Sequence, residues 1–141
     1  ESKDNGDRTW NFRKGSDLIG SNGKLIQGTT GEVNGLVIDA TTGKFDSTRS
    51  DWAQFNTGAV VKIPVKGSCE ITIGSYKEKQ ATIEGTEVGT TEFKYTYSGA
   101  AGYVDLVATA DGYIGSIDVM CFATAFFVSY VVFTYNFGLI F

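Results

Sequence analysis

The nine residues SDWAQFNTG, 50–58, set a large flat ring beside two uncharged amides. Side chains alternate across a strand. A strand here puts Trp52, Gln54 and Asn56 on one face and Ala53 and Phe55 on the other. The second face is small and apolar, as a core requires. The first suits a sugar ring, which presents an apolar face of C–H groups and an edge of hydroxyls. An exposed aromatic ring stacks on the C–H face. Asn and Gln, each donor and acceptor, bond the hydroxyls. The competing reading folds Trp52 back under the polar loop before it. Lys44 and Arg49, in that loop, can bond hydroxyls or, on a pectic ligand, carboxylates. Phe45, Tyr103 and Tyr113 are further candidates for stacking. Tyr103 falls in phase with Asp105 and away from Val104 and Leu106, which turns it outward. Tyr113 follows a tight turn and belongs at a rim.

Other chemistries find less support. The chain has no histidine, which removes the usual general base and the commonest zinc ligand. There is no GxGxxG and no GxxxxGK[ST] to cradle phosphate. A Ser-His-Asp triad is excluded, although Ser-Lys variants exist. Asp39, Asp46 and Asp51 bracket one loop, and two acids can do glycosidic chemistry. Acids in a Thr- and Gly-rich loop also cap turns. The same acids, or Asp105 and Asp111, can hold a structural calcium, without any EF-hand-like spacing. No catalytic residue, metal ligand or other cofactor is assigned. The two cysteines, Cys69 and Cys121, belong to no CxxC pair. They are one disulfide or two buried thiols, and Cys69 is in phase with Ile71 and Ile73. A net charge of −4 argues against nucleic acid as a partner, since phosphates are met by basic patches.

These residues need elements to position them, and the composition supplies strands. The 141 residues include 18 Gly, a single Pro and many Thr, Val, Ile and Tyr, which suits a β-protein with tight turns. Short alternating runs follow one another: TWNF, KLIQG after the hairpin signal Asn22-Gly23, and EVNGLVIDA. A long polar loop, TTGKFDSTRSD, comes next. Then come WAQFN, AVVKIPVKG, CEITIGSY, QATIEG, TEFKYTYSG, and finally GYVDLVATA and YIGSIDV around Asp111-Gly112. Pro64 marks its run as an edge strand or a bulge. No amphipathic helix of three turns precedes residue 118. Phe93, Tyr95 and Tyr97 share a face opposite charges and read as core, as do Trp10 and Phe12. The pattern predicts an all-β fold, an antiparallel β-sandwich of jelly-roll type.

Three segments are expected. Residues 1–8 are a linker or a mature terminus, 9–119 are the β-sandwich, and 120–141 are an apolar segment. The start at Glu1 rather than Met suggests a signal peptide already removed, or an excised domain, and hence a secreted or cell-surface protein. The last 23 residues, from Val119 on, carry no charge. They read as buried strands, as a membrane span, or as a foreign reading frame joined to a complete domain.

Four phrases occur in a familiar order: TWNFRKGSDLIG, NGLVIDATTGKF, DWAQFNTGAVVKIPVKGSCEITI and GAAGYVDLVATADGYIGSIDV. Together they resemble the accessory β-sandwich modules of secreted polysaccharide-degrading enzymes of gut bacteria, nearest to carbohydrate-binding module family 86 of xylanases. Similar modules occur on pectin-degrading enzymes. The likeness spans roughly residues 9 to 119 and rests on the order of phrases, so no ligand residue is carried over from it. It implies a jelly-roll-like sandwich that binds a polysaccharide such as xylan and does no chemistry, joined to a catalytic domain in the parent chain. The rivals are a pectin-binding module, a lyase or glycosidase using the loop acids, and a surface adhesive or structural domain anchored in a membrane by its tail.

Overall fold

The structure, a computed structural model, describes residues 5–122. In chain order the strands are β1 (Arg8–Asn11), β2 (Leu25–Val33), β3 (Leu36–Asp46), β4 (Ala53–Asn56), β5 (Val60–Val65), β6 (Cys69–Ser75), β7 (Ala81–Ile83), β8 (Thr86–Glu87), β9 (Glu92–Tyr97), β10 (Gly102–Ala108) and β11 (Gly112–Cys121). A turn of 3-10 helix, Gly20–Asn22, lies between β1 and β2. All strand pairs are antiparallel and join in one eleven-stranded sheet, curled into a half-barrel. The class is the all-β, antiparallel one that the alternating runs predict. No helix among the described residues is long and apolar enough to cross a membrane.

The curl originates in β3. One edge of β3 pairs with β2 along its length. On the other edge, Val37–Asp39 pair with β5, whereas Lys44–Asp46 pair with β4. Beyond β5 lie β10, β7 and β8; beyond β4 lie β11, β6 and β9. A single strand therefore carries the sheet from one wing to the other, as corner strands do. The inward phase changes on the way. Leu36, Ile38 and Ala40 are buried, and the next buried residue is Phe45. Gly43 stands in this change with φ +78°, and a Cβ there would come within 2.5 Å of the Asn56 carbonyl oxygen.

Strand alternation builds the core. In β5 it buries Val61, Ile63 and Val65, in β6 Cys69, Ile71 and Ile73, and in β10 Val104, Leu106 and Ala108. Trp10, Phe12, Phe45 and Phe55 are the largest fully buried rings. Phe12 meets Phe45 edge-on at 5.6 Å, an arrangement that favours the ring quadrupoles. Trp10 keeps its one polar group satisfied, because its Nε1–H donates to the Asn34 carbonyl at 2.9 Å. Phe93, Tyr95 and Tyr97, on β9, pack against this core while half-buried.

Several local expectations are corrected. The Asn-Gly that turns a hairpin is Asn34-Gly35, with φ +50° and +94° between β2 and β3. Asn22-Gly23 instead closes the 3-10 turn, where Gly23 has φ −78°. The segment TTGKFD is strand, because β2 offers partners to the end of β3. β5 is an interior strand despite Pro64. Its pairing with β3 ends at Lys62, so the missing N–H at Pro64 costs no ladder bond on that edge. The final strand runs two residues past Val119, to Cys121 opposite Cys69. Both thiols are free. Burial first, and then the neighbouring Cys121, pushes the Cys69 thiol up to about 12. The expectations for residues 1–4 and 123–141 lie outside the described residues.

Candidate functional site

Trp52 stands one residue before β4, and its backbone is left-handed, φ +59°. Glycine is the usual occupant of that region, and a bulky residue held there stores strain of order 1–3 kcal/mol. The conformation delivers the indole to the outer side of the sheet, over Gly115. A Cβ at Gly115 would lie 2.6 Å from the indole, so only glycine leaves room for the ring. Gly115 is the extra residue of a bulge in β11, where the register with β6 shifts between Ile114 and Ser116.

Two more rings complete a surface cluster. Trp52 meets Tyr76 edge-on at 5.9 Å, and Tyr76 meets Tyr113 edge-on at 5.7 Å. Tyr76 follows β6 directly and is 61% exposed. Its N–H donates to the Tyr113 carbonyl at 3.0 Å. Beneath them Gln80 is buried. Its Nε2 donates to the same carbonyl at 2.7 Å, and its Oε1 accepts from the Lys77 N–H. The two tyrosines thus rest on a packed and hydrogen-bonded floor.

Two guanidinium groups border the rings. Arg13 lies 5.0 Å from the centre of the Trp52 ring, and Arg49 lies 5.3 Å from that of Tyr113, both within cation–π range. Arg13 is also held by Glu92 at 3.5 Å and by the Gly115 carbonyl. The Arg49 guanidinium has no hydrogen-bond or ion-pair partner among the described residues. The loop that presents Arg49 and Trp52 is fixed at its base. Gly20 N–H donates to the Ser47 and Arg49 carbonyls, Ser47 N–H donates to the Lys24 carbonyl, and Asp46 accepts from the Thr48 N–H and hydroxyl. Arg49, Asp51, Trp52, Tyr76 and Tyr113 line an open cleft of about 270 Å³.

The residues expected from the sequence divide accordingly. Trp52, Tyr113 and Arg49 come together. Gln54 lies on the same outward row, directly across from Tyr113 on one side and Asp46 on the other. Lys44 and Asn56 face each other one row further on. The Asn56 Oδ1 is sealed from solvent and has no hydrogen-bond partner among the described residues. Tyr103 is 53% exposed but stands at the far end of β10, beside Pro64, and borders a different groove with Arg8 and Val37. Phe45 is a correction. Its ring is fully buried against Phe12, because the phase change at Gly43 turns it inward, and it stacks on no ligand.

The chain segments that sequence reasoning left out are instructive. Tyr76 keeps the outward phase of Glu70, Thr72 and Gly74, so strand alternation alone points it to solvent. Arg13 carries no local signal, since only the pairing of β1 with β11 brings it to Trp52.

Asp39, Asp46 and Asp111 each accept from a threonine hydroxyl and a threonine N–H. Thr41 donates to Asp39 from both its hydroxyl and its N–H, which holds that carboxyl below its ordinary value. Thr57 does the same for Asp111. Asp51 is the only carboxylate lining the aromatic cleft among the described residues. No three His, Cys, Asp or Glu side chains among the described residues converge as a metal site. Compared with protein-family models, curated proteins and solved structures, the chain matches none.

Proposed function

We propose that this chain is a noncatalytic carbohydrate-binding module, jelly-roll-like in its fold, that tethers a secreted glycoside-degrading enzyme to plant polysaccharide, xylan foremost. The observation that carries the reading is the outward cluster of Trp52, Tyr76 and Tyr113 on a rigid sheet, with Trp52 kept in a strained backbone conformation. Such rings stack on the C–H faces of sugars. Gln54, Arg49 and Asp51 offer donors and acceptors to the hydroxyl edges. Asp51 as the only carboxylate lining the cleft among the described residues supports binding rather than the two-acid chemistry of a glycosidase. A uronate-bearing chain, as in pectin, is the second reading. It is favoured by the guanidinium of Arg49, which lies over Tyr113 with no hydrogen-bond or ion-pair partner among the described residues and can take a carboxylate in a forked pair.

Rings worth about 1 kcal/mol each beyond burial and hydrogen bonds worth about 1 kcal/mol each must offset ordering costs. The expected dissociation constant is roughly 10 µM to 1 mM, or about −4 to −7 kcal/mol. Calorimetry of the full chain with xylohexaose and with pectic, mannan and glucan oligomers tests it. Silence with all of them overturns the reading. Release of reducing ends from xylan or pectin by the purified protein overturns its noncatalytic part.

A further inference from the structure

The aromatic cleft is not the largest concavity on its face. A second groove of about 550 Å³ is lined by Thr9 on β1, Asp118 and Met120 on β11, Glu70 and Thr72 on β6, and Lys94 on β9, among others. The register shows that both hollows open on one side of the sheet. Thr9, Asp118, Thr72 and Lys94 stand directly across from one another on four adjacent strands, and cross-strand partners share a face. Asn11, Ser116, Gly74 and Glu92 form the next row. Trp10, Ile117 and Ile73, between these rows, are buried on the opposite face. One step beyond the Gly74 row lies Tyr76, and over Gly115 lies Trp52.

The ground between the two hollows is low. Gly74 has no side chain, and a Cβ there would come within 2.7 Å of the Arg13 guanidinium. Arg13 therefore lies flat across the sheet between the Thr72 row and the aromatic rings. Thr72 and Tyr76 are four residues apart, about 13 Å along an extended strand, a span that a sugar chain of several rings covers.

Resting on the carbohydrate-binding reading, we infer that the same sugar chain continues from the aromatic cleft across Arg13 into the groove over Thr9, Thr72, Lys94 and Asp118, which forms a second set of subsites. The chemistry there is different. Among the described residues no ring lines this groove. Its hydroxyls, carboxylates and ammonium group supply donors and acceptors to sugar hydroxyls, and exposed Met120 gives an apolar border. Its charges nearly balance, with Asp7, Glu70 and Asp118 set against Arg8 and Lys94 and Lys94 3.9 Å from Glu70, whereas the guanidinium of Arg49 stands at the other end. The groove therefore takes neutral sugar units, and any uronate on the chain is read at the Arg49 end.

Calorimetry with oligosaccharides of two to six units, in parallel xylo-, gluco-, manno- and galacturono- series, tests this on the full chain. The expected result is affinity that rises at least tenfold from dimer to hexamer. Thr72→Lys, which fills the groove, and Asp118→Ala, which removes an acceptor, each flatten that rise and leave dimer binding unchanged. Circular dichroism verifies that both variants keep the sheet. Hexamer binding in both variants equal to that of the unmodified chain overturns the second set of subsites and leaves the aromatic cleft standing. Affinity independent of length does the same. Absence of binding in every series overturns the carbohydrate reading as well.

Discussion

Two groups of aromatic rings sit on opposite sides of the same sheet. On the inner side, Trp10, Phe12, Phe45 and Phe55 are fully buried, and the single polar group among them is hydrogen-bonded. On the outer side, Trp52, Tyr76 and Tyr113 are backed by a buried glutamine and bordered by two arginines. β4 shows the division within four residues, with Ala53 and Phe55 inward and Gln54 outward beside Tyr113. The inner rings are held by ordinary strand phase. The outer group needs special devices: a left-handed tryptophan, a bulge glycine to seat its ring, and an arginine laid across a second glycine. Burial explains the first group. The second carries strain for rings that stay partly open, Trp52 and Tyr113 half-buried and Tyr76 exposed, which supports the proposal that this surface is kept for a ligand.

Exchanging the fates of the two groups breaks this comparison most sharply. Phe55→Ala removes a fully buried ring and is expected to cost about 3–5 kcal/mol of stability. Urea unfolding reads it as a lower midpoint, with sugar binding lost only where the fold is lost. Trp52→Gly does the opposite. Glycine relieves the left-handed backbone while the indole's surface contacts disappear, so the unfolding free energy stays within about 1 kcal/mol of that of the unmodified chain. Binding falls by about 2 kcal/mol, roughly 30-fold, as for an aromatic hot spot. If the glycine variant unfolds, the ring is core and the division between the faces is wrong.

Smaller effects sharpen the picture. Arg49→Ala leaves the fold intact and weakens binding by about 0.5–1.5 kcal/mol, the worth of one hydrogen bond to the ligand. On galacturonan oligomers the loss is larger and fades with salt, because a charge pair is involved. Asp111 offers the mildest effect. Its carboxyl is held below its ordinary value by Thr57, so the ionised form is favoured by folding. That stability is present at neutral pH and is lost as the pH falls through the ordinary carboxylate value of about 3.9 and below. Asp111→Asn is expected to melt at a lower temperature than the unmodified chain at neutral pH, with the gap closing in acid.

Most strands were legible because alternation of apolar and polar residues repeats what the sheet needs. That signal is local, and it fails where distant partners decide. The stretch TTGKFD reads as a loop until β2 is seen pairing with it. Phe45, placed in that imagined loop, was read as a surface ring, when the phase change at Gly43 buries it. Two Asn-Gly pairs look alike in sequence, yet only the one between two long paired strands turns a hairpin. Trp52 lines the outer cleft, but not through the strand phase that places Gln54. The strand begins after it, and the left-handed backbone rather than strand phase brings its ring to the row of Gln54 and Tyr113. Tyr76 was within reach of phase alone. Arg13 was not, since β1 and β11 meet across nearly the whole chain.

The chain holds two tryptophans, one in each group of rings, and their indole N–H signals report on the two faces separately. Trp10 donates its N–H to Asn34 inside the core, whereas Trp52 lies at the cleft. In a two-dimensional ¹H–¹⁵N spectrum of the full chain, the Trp52 signal is the one missing in Trp52→Gly. Titration with xylohexaose and with the galacturonan hexamer is expected to shift that signal progressively, with the Trp10 signal fixed. A bound glycan that moves the Trp10 signal and leaves that of Trp52 in place would contradict the assignment of binding to the outer rings.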